Sequence, residues 1–170
     1  RHYRRQRQMC IRDRSTFLNT VSSAKPKIAD YPFTTLRPHL GTIKYSDNSF
    51  VIADIPGIIE GASDGHGLGI KFLKHISRTG ILLFFLEAFS EISAQDQLLK
   101  LKKELGDFSE KLLEKEFYIV ITKIDLIDEE TRSETLNNFN NKEYANVFGI
   151  SSVTGEGVQE LLDDISRKVF

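Results

Sequence analysis

Phe50-Val51-Ile52-Ala53 runs straight into Asp54-Ile55-Pro56-Gly57, so a short apolar stretch ends on a carboxylate, a proline and a glycine. In open α/β sheets, ligands sit beyond the carboxyl ends of the strands. A carboxylate placed there, followed by a glycine that lets backbone approach a ligand, suits a Mg²⁺–phosphate site. Asp-x-x-Gly alone more often marks just an acidic turn after a strand, and its meaning depends on what surrounds it. Four further segments carry matching chemistry: Ser15-Thr16, Thr34-Thr35, Thr122-Lys123-Ile124-Asp125 and Ser151-Ser152. A serine hydroxyl at a helix start and a loop threonine can both ligate Mg²⁺ while Asp54 holds the ion's waters. The Gly57 N–H can reach a terminal phosphate. Asp125 can accept two hydrogen bonds from the N1–H and N2 amine of guanine, a pattern adenine does not offer. A site built on such a bond rejects the wrong base by about 10⁴-fold, because the carboxylate is otherwise left unpaired. Lys123 can lay its stem along the base and brace a phosphate loop. Together these segments describe a guanine-nucleotide site.

The elements that must position these residues follow from periodicity. Phe17, Leu18 and Val21 stand at helical spacing, which predicts a short helix over 15–22. Prolines 26, 32 and 38 forbid a long regular element around Thr34-Thr35. Leu40–Tyr45 and Phe50–Ala53 flank the polar residues Ser46-Asp47-Asn48-Ser49, a hairpin signal that predicts an antiparallel pair joined by a four-residue turn. Gly61–Gly69 holds four glycines in nine residues, and His66 within it reads as a solvated loop histidine. Leu68, Phe72, Leu73 and Ile76 define an amphipathic helix ending near Gly80. Thereafter apolar strands (81–86, 117–121, 147–150) alternate with helices (92–105, 128–139, 158–169). Repeated β-α units with apolar strands predict a mostly parallel sheet with helices on both faces and one antiparallel hairpin strand.

Composition sets limits on the reading. At 170 residues, 40% of them hydrophobic, the chain is long enough for one domain with a proper core. A net charge of -1 gives no global electrostatic case for nucleic acid or an acidic membrane. The single cysteine, Cys10, rules out an internal disulfide framework and suits a reducing cytoplasm. The apolar run Ile81–Leu86 is too short to span a bilayer. A cytoplasmic monomer with no membrane association is expected. Arg1 to Arg14 is different in kind: it carries six arginines, and its apolar residues follow no period. No apolar stretch follows the charges, so it is not a secretory signal. It reads either as a basic arm for RNA or as an unrelated segment fused to a truncated domain, and the second reading is preferred.

Asp30-Tyr31-Pro32-Phe33-Thr34-Thr35-Leu36-Arg37-Pro38-His39-Leu40-Gly41 and Asp54 to Gly69, continued through Ile70 to Thr79, resemble the switch regions of bacterial Obg GTPases. The resemblance covers Ser15 to the end of the chain. It implies a Ras-like P-loop GTPase domain, Mg²⁺-dependent GTP hydrolysis, GTP and GDP as ligands, and work on the large ribosomal subunit during its assembly. By matching position it makes Ser15, Thr35 and Asp54 the Mg²⁺ ligands. It places Phe33, Thr34, Thr35, Leu36 and Arg37 in switch I, and Asp54, Ile55, Pro56 and Gly57 in switch II. Thr122, Lys123, Ile124 and Asp125 become the base-reading motif, and Ser151, Ser152 and Val153 the second base-contacting loop. The expected organisation is a non-native or disordered segment over 1–14 and an Obg-type G domain over 15–170.

Three departures qualify that pattern. Thr122 stands where the family usually has Asn, and its hydroxyl preserves some loop hydrogen bonding. Ile58 stands where Ras-type proteins place the glutamine that orients the attacking water, so slow or partner-assisted hydrolysis is implied and the catalytic residue is unknown. Before Ser15 the family requires an apolar strand and then G-x-P-N-x-G-K, but this chain has Gln8-Met9-Cys10-Ile11-Arg12-Asp13-Arg14. Both glycines and the lysine are missing. The first strand and most of the P-loop are therefore expected to be lacking, with the strand's place between those ending at Ala53 and Leu86. The alternative function is a nucleotide-free G-like module that docks on ribosomal RNA or protein.

Overall fold

The computed structural model describes residues 13–28, 38–54, 79–139 and 144–170, apart from the Phe108 side chain. Residues 13–21 are helical (α1) and bury Phe17 and Leu18, the spacing that marked this helix in the sequence. The hairpin forms from β2 (His39–Tyr45) and β3 (Asn48–Asp54), antiparallel with Tyr45 opposite Asn48. Its turn is the two residues Ser46-Asp47 rather than four, and Ser46 takes the left-handed conformation (φ 50°) that a tight hairpin demands. A two-residue strand, β1 (Lys27–Ile28), pairs with the outer edge of β2 inside the proline-punctuated stretch, where no strand was expected.

The second half builds a parallel sheet in the order β4 (Ile81–Glu87), β5 (Glu116–Thr122), β6 (Val147–Gly149). Strand β5 is buried on both faces, which explains its unbroken apolar run. Tyr118 and Val120 point into one core with Phe85, Ile150 and helix α4 (Val158–Val169). Ile119 and Ile121 point into the other, against helix α2 (Ala94–Phe108) through Ala94 and Leu98. Helices thus cover both faces of the parallel sheet. Two tyrosines fix α4 in place: Tyr45 donates to Asp163 Oδ1 (2.8 Å) and Tyr118 to Asp164 Oδ2 (2.7 Å). Helix α3 (Glu129–Asn137) is polar except for Leu136, which packs half-buried against the second core, and it has no fully buried residue.

The antiparallel strands and the parallel strands form two three-stranded sheets, and among the described residues no strand joins β3 to β4. One core nevertheless spans both. Phe17 from α1 meets Phe85 from β4 edge-on at 5.2 Å, within a cluster that also holds Ile43 and Phe50 of the hairpin. Helix α1 therefore bridges the sheets at the level where β3, β4 and β5 end. The expected helix over 68–76 and the glycine-rich stretch 61–69 with His66 lie outside the described residues.

Candidate functional site

The carboxyl ends of β3, β4 and β5 carry Asp54, Glu87 and Thr122, and the first described turn of α1 lies against all three. Ser15 Oγ donates to Asp54 Oδ2 at 2.9 Å, so two of the residues singled out for Mg²⁺ meet across 39 positions of sequence. The Asp54 side chain is only 4% exposed, and its Oδ1 has no hydrogen-bond partner. A buried carboxylate oxygen that accepts no hydrogen bond and faces Arg14 Nε at 3.4 Å, beside a serine hydroxyl, belongs to a hard-oxygen pair of the kind Mg²⁺ takes while keeping most of its waters. On that observation the residues fit the ion. Among the described residues no group of three or more His, Cys, Asp or Glu forms an all-protein cage, which Mg²⁺ with a phosphate ligand does not require.

The 122–126 segment is held by backbone geometry. Lys123 sits in the left-handed region (φ 60°), a conformation that costs a non-glycine residue about 1–3 kcal/mol and so must be imposed by its surroundings. Those surroundings are visible. The Ile124 N–H donates to Ile150 O (3.3 Å), the Leu126 N–H closes a 3₁₀ turn onto Lys123 O (3.0 Å), and Ile124 is buried. Asp125 is left exposed at the turn, free to meet a ligand edge. Thr122 is buried, with Oγ1 3.2 Å from Leu86 O and 3.3 Å from Asp13 Oδ2, two acceptors for its single proton.

Lys123 Nζ donates to Glu87 Oε1 at 2.5 Å and lies 3.4 Å from Asp13 Oδ2. Burial works to lower the pKa of this ammonium, but the Glu87 hydrogen bond and the charges of Asp13 and Glu87 outweigh it, and the pKa is raised. Asp13 is served less well. Burial raises its pKa despite the pull of Lys123, and Glu87 adds repulsion. Glu87 was not anticipated as a site residue, yet it had the same signal as Asp54: a carboxylate ending an apolar run. Gln97 of α2 clasps that strand end from behind. Its amide donates to Glu87 O and Ile92 O, and its carbonyl accepts from the Glu87 N–H, all at 2.9 Å.

The 151–157 loop closes the constellation. Ser151 is fully buried and its Oγ accepts from the Thr154 N–H (3.1 Å), while the Ser151 N–H donates to Glu156 O (2.9 Å). Ser152 O accepts from Thr20 of α1 at 3.5 Å, and Val153 is 84% exposed. The structure therefore gathers Asp54, Thr122 and Lys123 against the first turn of α1, which carries Ser15, while Ser152 meets the last turn of the same helix through Thr20. Phe33, Thr34, Thr35, Leu36, Arg37, Ile55, Pro56 and Gly57 lie outside the described residues. A separate cleft of about 420 Å³ opens at the opposite ends of β5 and β6, lined by Lys115, Phe117 and Tyr144 among others, and holds none of the singled-out residues.

This arrangement of strand ends around one helix is the fold of P-loop GTPase G domains. The cytosolic domain of the T. maritima FeoB iron transporter in GMPPNP form superposes with a TM-score of 0.65 at 22% identity, covering 93% of this chain and 60% of that one. Nucleolar GTP-binding protein 1 of Plasmodium falciparum superposes with a TM-score of 0.52 at 21% identity, covering 91% and 83%. A family profile described as 50S ribosome-binding GTPase matches residues 14–123. The chain belongs to that family. It is 48% identical over 157 residues to GTPase Obg of Pelodictyon phaeoclathratiforme, covering 92% of this chain and 45% of that protein. GTPase Obg of Thermodesulfovibrio yellowstonii is 46% identical over 159 residues, covering 92% and 47%. The chain thus spans somewhat under half the length of these relatives. The profile and the helix both take in Arg14, and the helix takes in Asp13 as well, so regular structure is already present just before Ser15.

Proposed function

We propose that this chain is the G-domain portion of a bacterial Obg-like GTPase that binds GTP and GDP, hydrolyses GTP with Mg²⁺, and acts on the large ribosomal subunit during assembly. Within it, the G domain runs through residues 15–170 and takes in Arg14, which the family profile and helix α1 include, and the basic stretch before it is a non-native segment. The observation that carries the reading is the Ser15–Asp54 contact, which sets a metal-type oxygen pair beside a base-reading loop. Ser15 and Asp54, with Thr35, hold the ion. Bound Mg²⁺ supplies charge neutralisation on the β- and γ-phosphates. Asp125 selects guanine by accepting from its N1–H and amine, and Lys123 braces the base from a conformation fixed by the 124–126 turn and Glu87. The Ser151–Val153 loop closes over the base. The Gly57 N–H meets the γ-phosphate. Ile58 supplies no water-orienting group, so hydrolysis is slow until a partner assists. Among the described residues no helix is long and apolar enough to cross a membrane, and we take the protein to be a cytoplasmic monomer.

Base choice tests this reading. In a version carrying G-x-P-N-x-G-K before Ser15, GTP should displace a fluorescent guanine nucleotide far better than ATP. Asp125→Asn should shift that preference toward xanthine nucleotides. Equal displacement by ATP and GTP in the unsubstituted version would sink the assignment.

A further inference from the structure

The first turn of α1 presents more than Ser15 to the site. Arg14 Nε lies 3.4 Å from Asp54 Oδ1, with the arginine side chain 21% exposed. Both atoms are buried, and neither has a hydrogen-bond partner. A guanidinium on a carboxylate is strongest as two parallel short bonds. Here a single nitrogen faces a single oxygen at a distance too long for a good bond. The pair neutralises charge without satisfying either atom. Asp13, the preceding residue, reaches the opposite way, to Lys123 Nζ (3.4 Å) and to the Thr122 hydroxyl (3.3 Å). Consecutive side chains of one helical turn therefore contact the metal-side carboxylate and the base-side lysine. The turn is anchored at both ends.

We propose that Arg14 is an internal competitor for the divalent cation. Its guanidinium stands in for the ion at Asp54, and Asp13 pins the turn so that Arg14 cannot swing away. This rests on the reading of Ser15 and Asp54 as the cation's ligands. A dication and a guanidinium repel strongly when they share one carboxylate in a site screened from water. Occupancy at Asp54 is therefore exclusive. Arg14 occupies the position at which the family pattern has a lysine, so the chain carries a positive charge in the right place with the wrong reach. The fork of an arginine settles on Asp54, where an ammonium point charge on a simpler stem is free to turn toward a phosphate.

Mn²⁺, whose free form is read directly by electron paramagnetic resonance, tests this on the full chain without any nucleotide. The unsubstituted chain should bind Mn²⁺ weakly. Arg14→Gln, which keeps a polar side chain on a shortened stem and removes the charge, should tighten Mn²⁺ by about tenfold or more, since even a partly screened charge at this distance exceeds 1.4 kcal/mol. Adding Asp54→Asn should abolish the gain. Arg14→Ala provides a second route should the amide itself bond to Asp54, and circular dichroism verifies that each variant is folded. Mn²⁺ affinity unchanged in both Arg14 variants, or a gain that survives Asp54→Asn, overturns the proposal. Because no nucleotide is present, failure here leaves the base-choice test standing, and failure of base choice leaves this result standing.

Discussion

Gly155 and Gly157 lie at the end of the 151–157 loop, and replacing each with alanine separates steric contact from backbone strain. Both are left-handed, with φ of +70° and +84°. That conformation costs an alanine about 1–2 kcal/mol relative to glycine. At Gly155 nothing lies within 4 Å of an added Cβ, so strain is the whole effect. At Gly157 the added Cβ would fall 2.0 Å from Gly149 O and 3.1 Å from Gly149 C, backbone atoms at the end of β6 that no rotamer change can move. Overpacking of this kind typically adds about 1–3 kcal/mol. Gly157→Ala should therefore lose about 2–5 kcal/mol and Gly155→Ala about 1–2 kcal/mol. For a chain of this size that corresponds to Tm losses of roughly 4–20 °C and roughly 2–8 °C. Urea unfolding of both variants gives the comparison, provided the slope of each transition is unchanged. Equal losses, or a milder Gly157→Ala, would refute the idea that the Ser151–Val153 loop is set by the close approach of two glycines.

Tyr118→Phe should destabilise the chain by about 1.5–3 kcal/mol, because it removes a buried hydroxyl's bond to the Asp164 carboxylate while keeping the ring stacked on Phe148 at 5.8 Å. A thermal-melt change of under about 1 °C would show that α4 is not tethered there. Asp128 caps α3 by accepting from the Thr131 N–H (2.8 Å), and that bond, with a second from the Thr131 hydroxyl, lowers its pKa. Its contribution is present above the ordinary aspartate pKa and lost as pH falls through the lowered folded value, so amide exchange in α3 should quicken on acidification. Asp128→Asn should flatten that pH dependence, and an unaltered profile would count against the cap. Glu87→Gln should loosen Lys123, seen as faster amine acetylation of that lysine by mass spectrometry, with no change expected at Lys168. Unchanged Lys123 labelling would show that Asp13 alone suffices to hold it.

The legible parts of this protein were those where one residue's neighbours in sequence are also its neighbours in space. Strand β5 declared itself because burial on both faces leaves no polar alternation, and α4 because Val158, Leu161, Leu162 and Ile165 share one face. Asp54 and Thr122 were found because a polar residue after an apolar run marks a strand end. Glu87 carries the same mark and was missed, since Ala88 and Phe89 after it spell no motif. The Arg14–Asp54 and Asp13–Lys123 contacts could not be read from sequence at all. They depend on how α1 docks against three strand ends, through Phe17 on Phe85, and no local pattern encodes that docking. The two-residue hairpin turn was obscured because Asn48 and Ser49 are polar yet paired with β2, both exposed at the hairpin's tip.

We propose that a guanine-nucleotide site begins at Ser15 and is crippled by the residues before it. A phosphate loop works through successive backbone N–H groups, opened by glycine, that close on the β-phosphate while a lysine bridges β and γ. Asp13 and Arg14 replace the last glycine and the lysine. With Asp54 and Glu87 they set three carboxylates against two cations, Arg14 and Lys123, where the proposed nucleotide would bring its own polyanion. Charge-assisted hydrogen bonds contribute about 1.5–3 kcal/mol each, so losing three or four weakens binding by about 10³-fold or more. Calorimetry with Mg²⁺–GTP should compare the chain as it stands with a version carrying an apolar strand and G-x-P-N-x-G-K directly before Ser15. The first should bind scarcely measurably and the second at least about 10³-fold more tightly; similar affinities for the two would overturn this reading of the residues before Ser15.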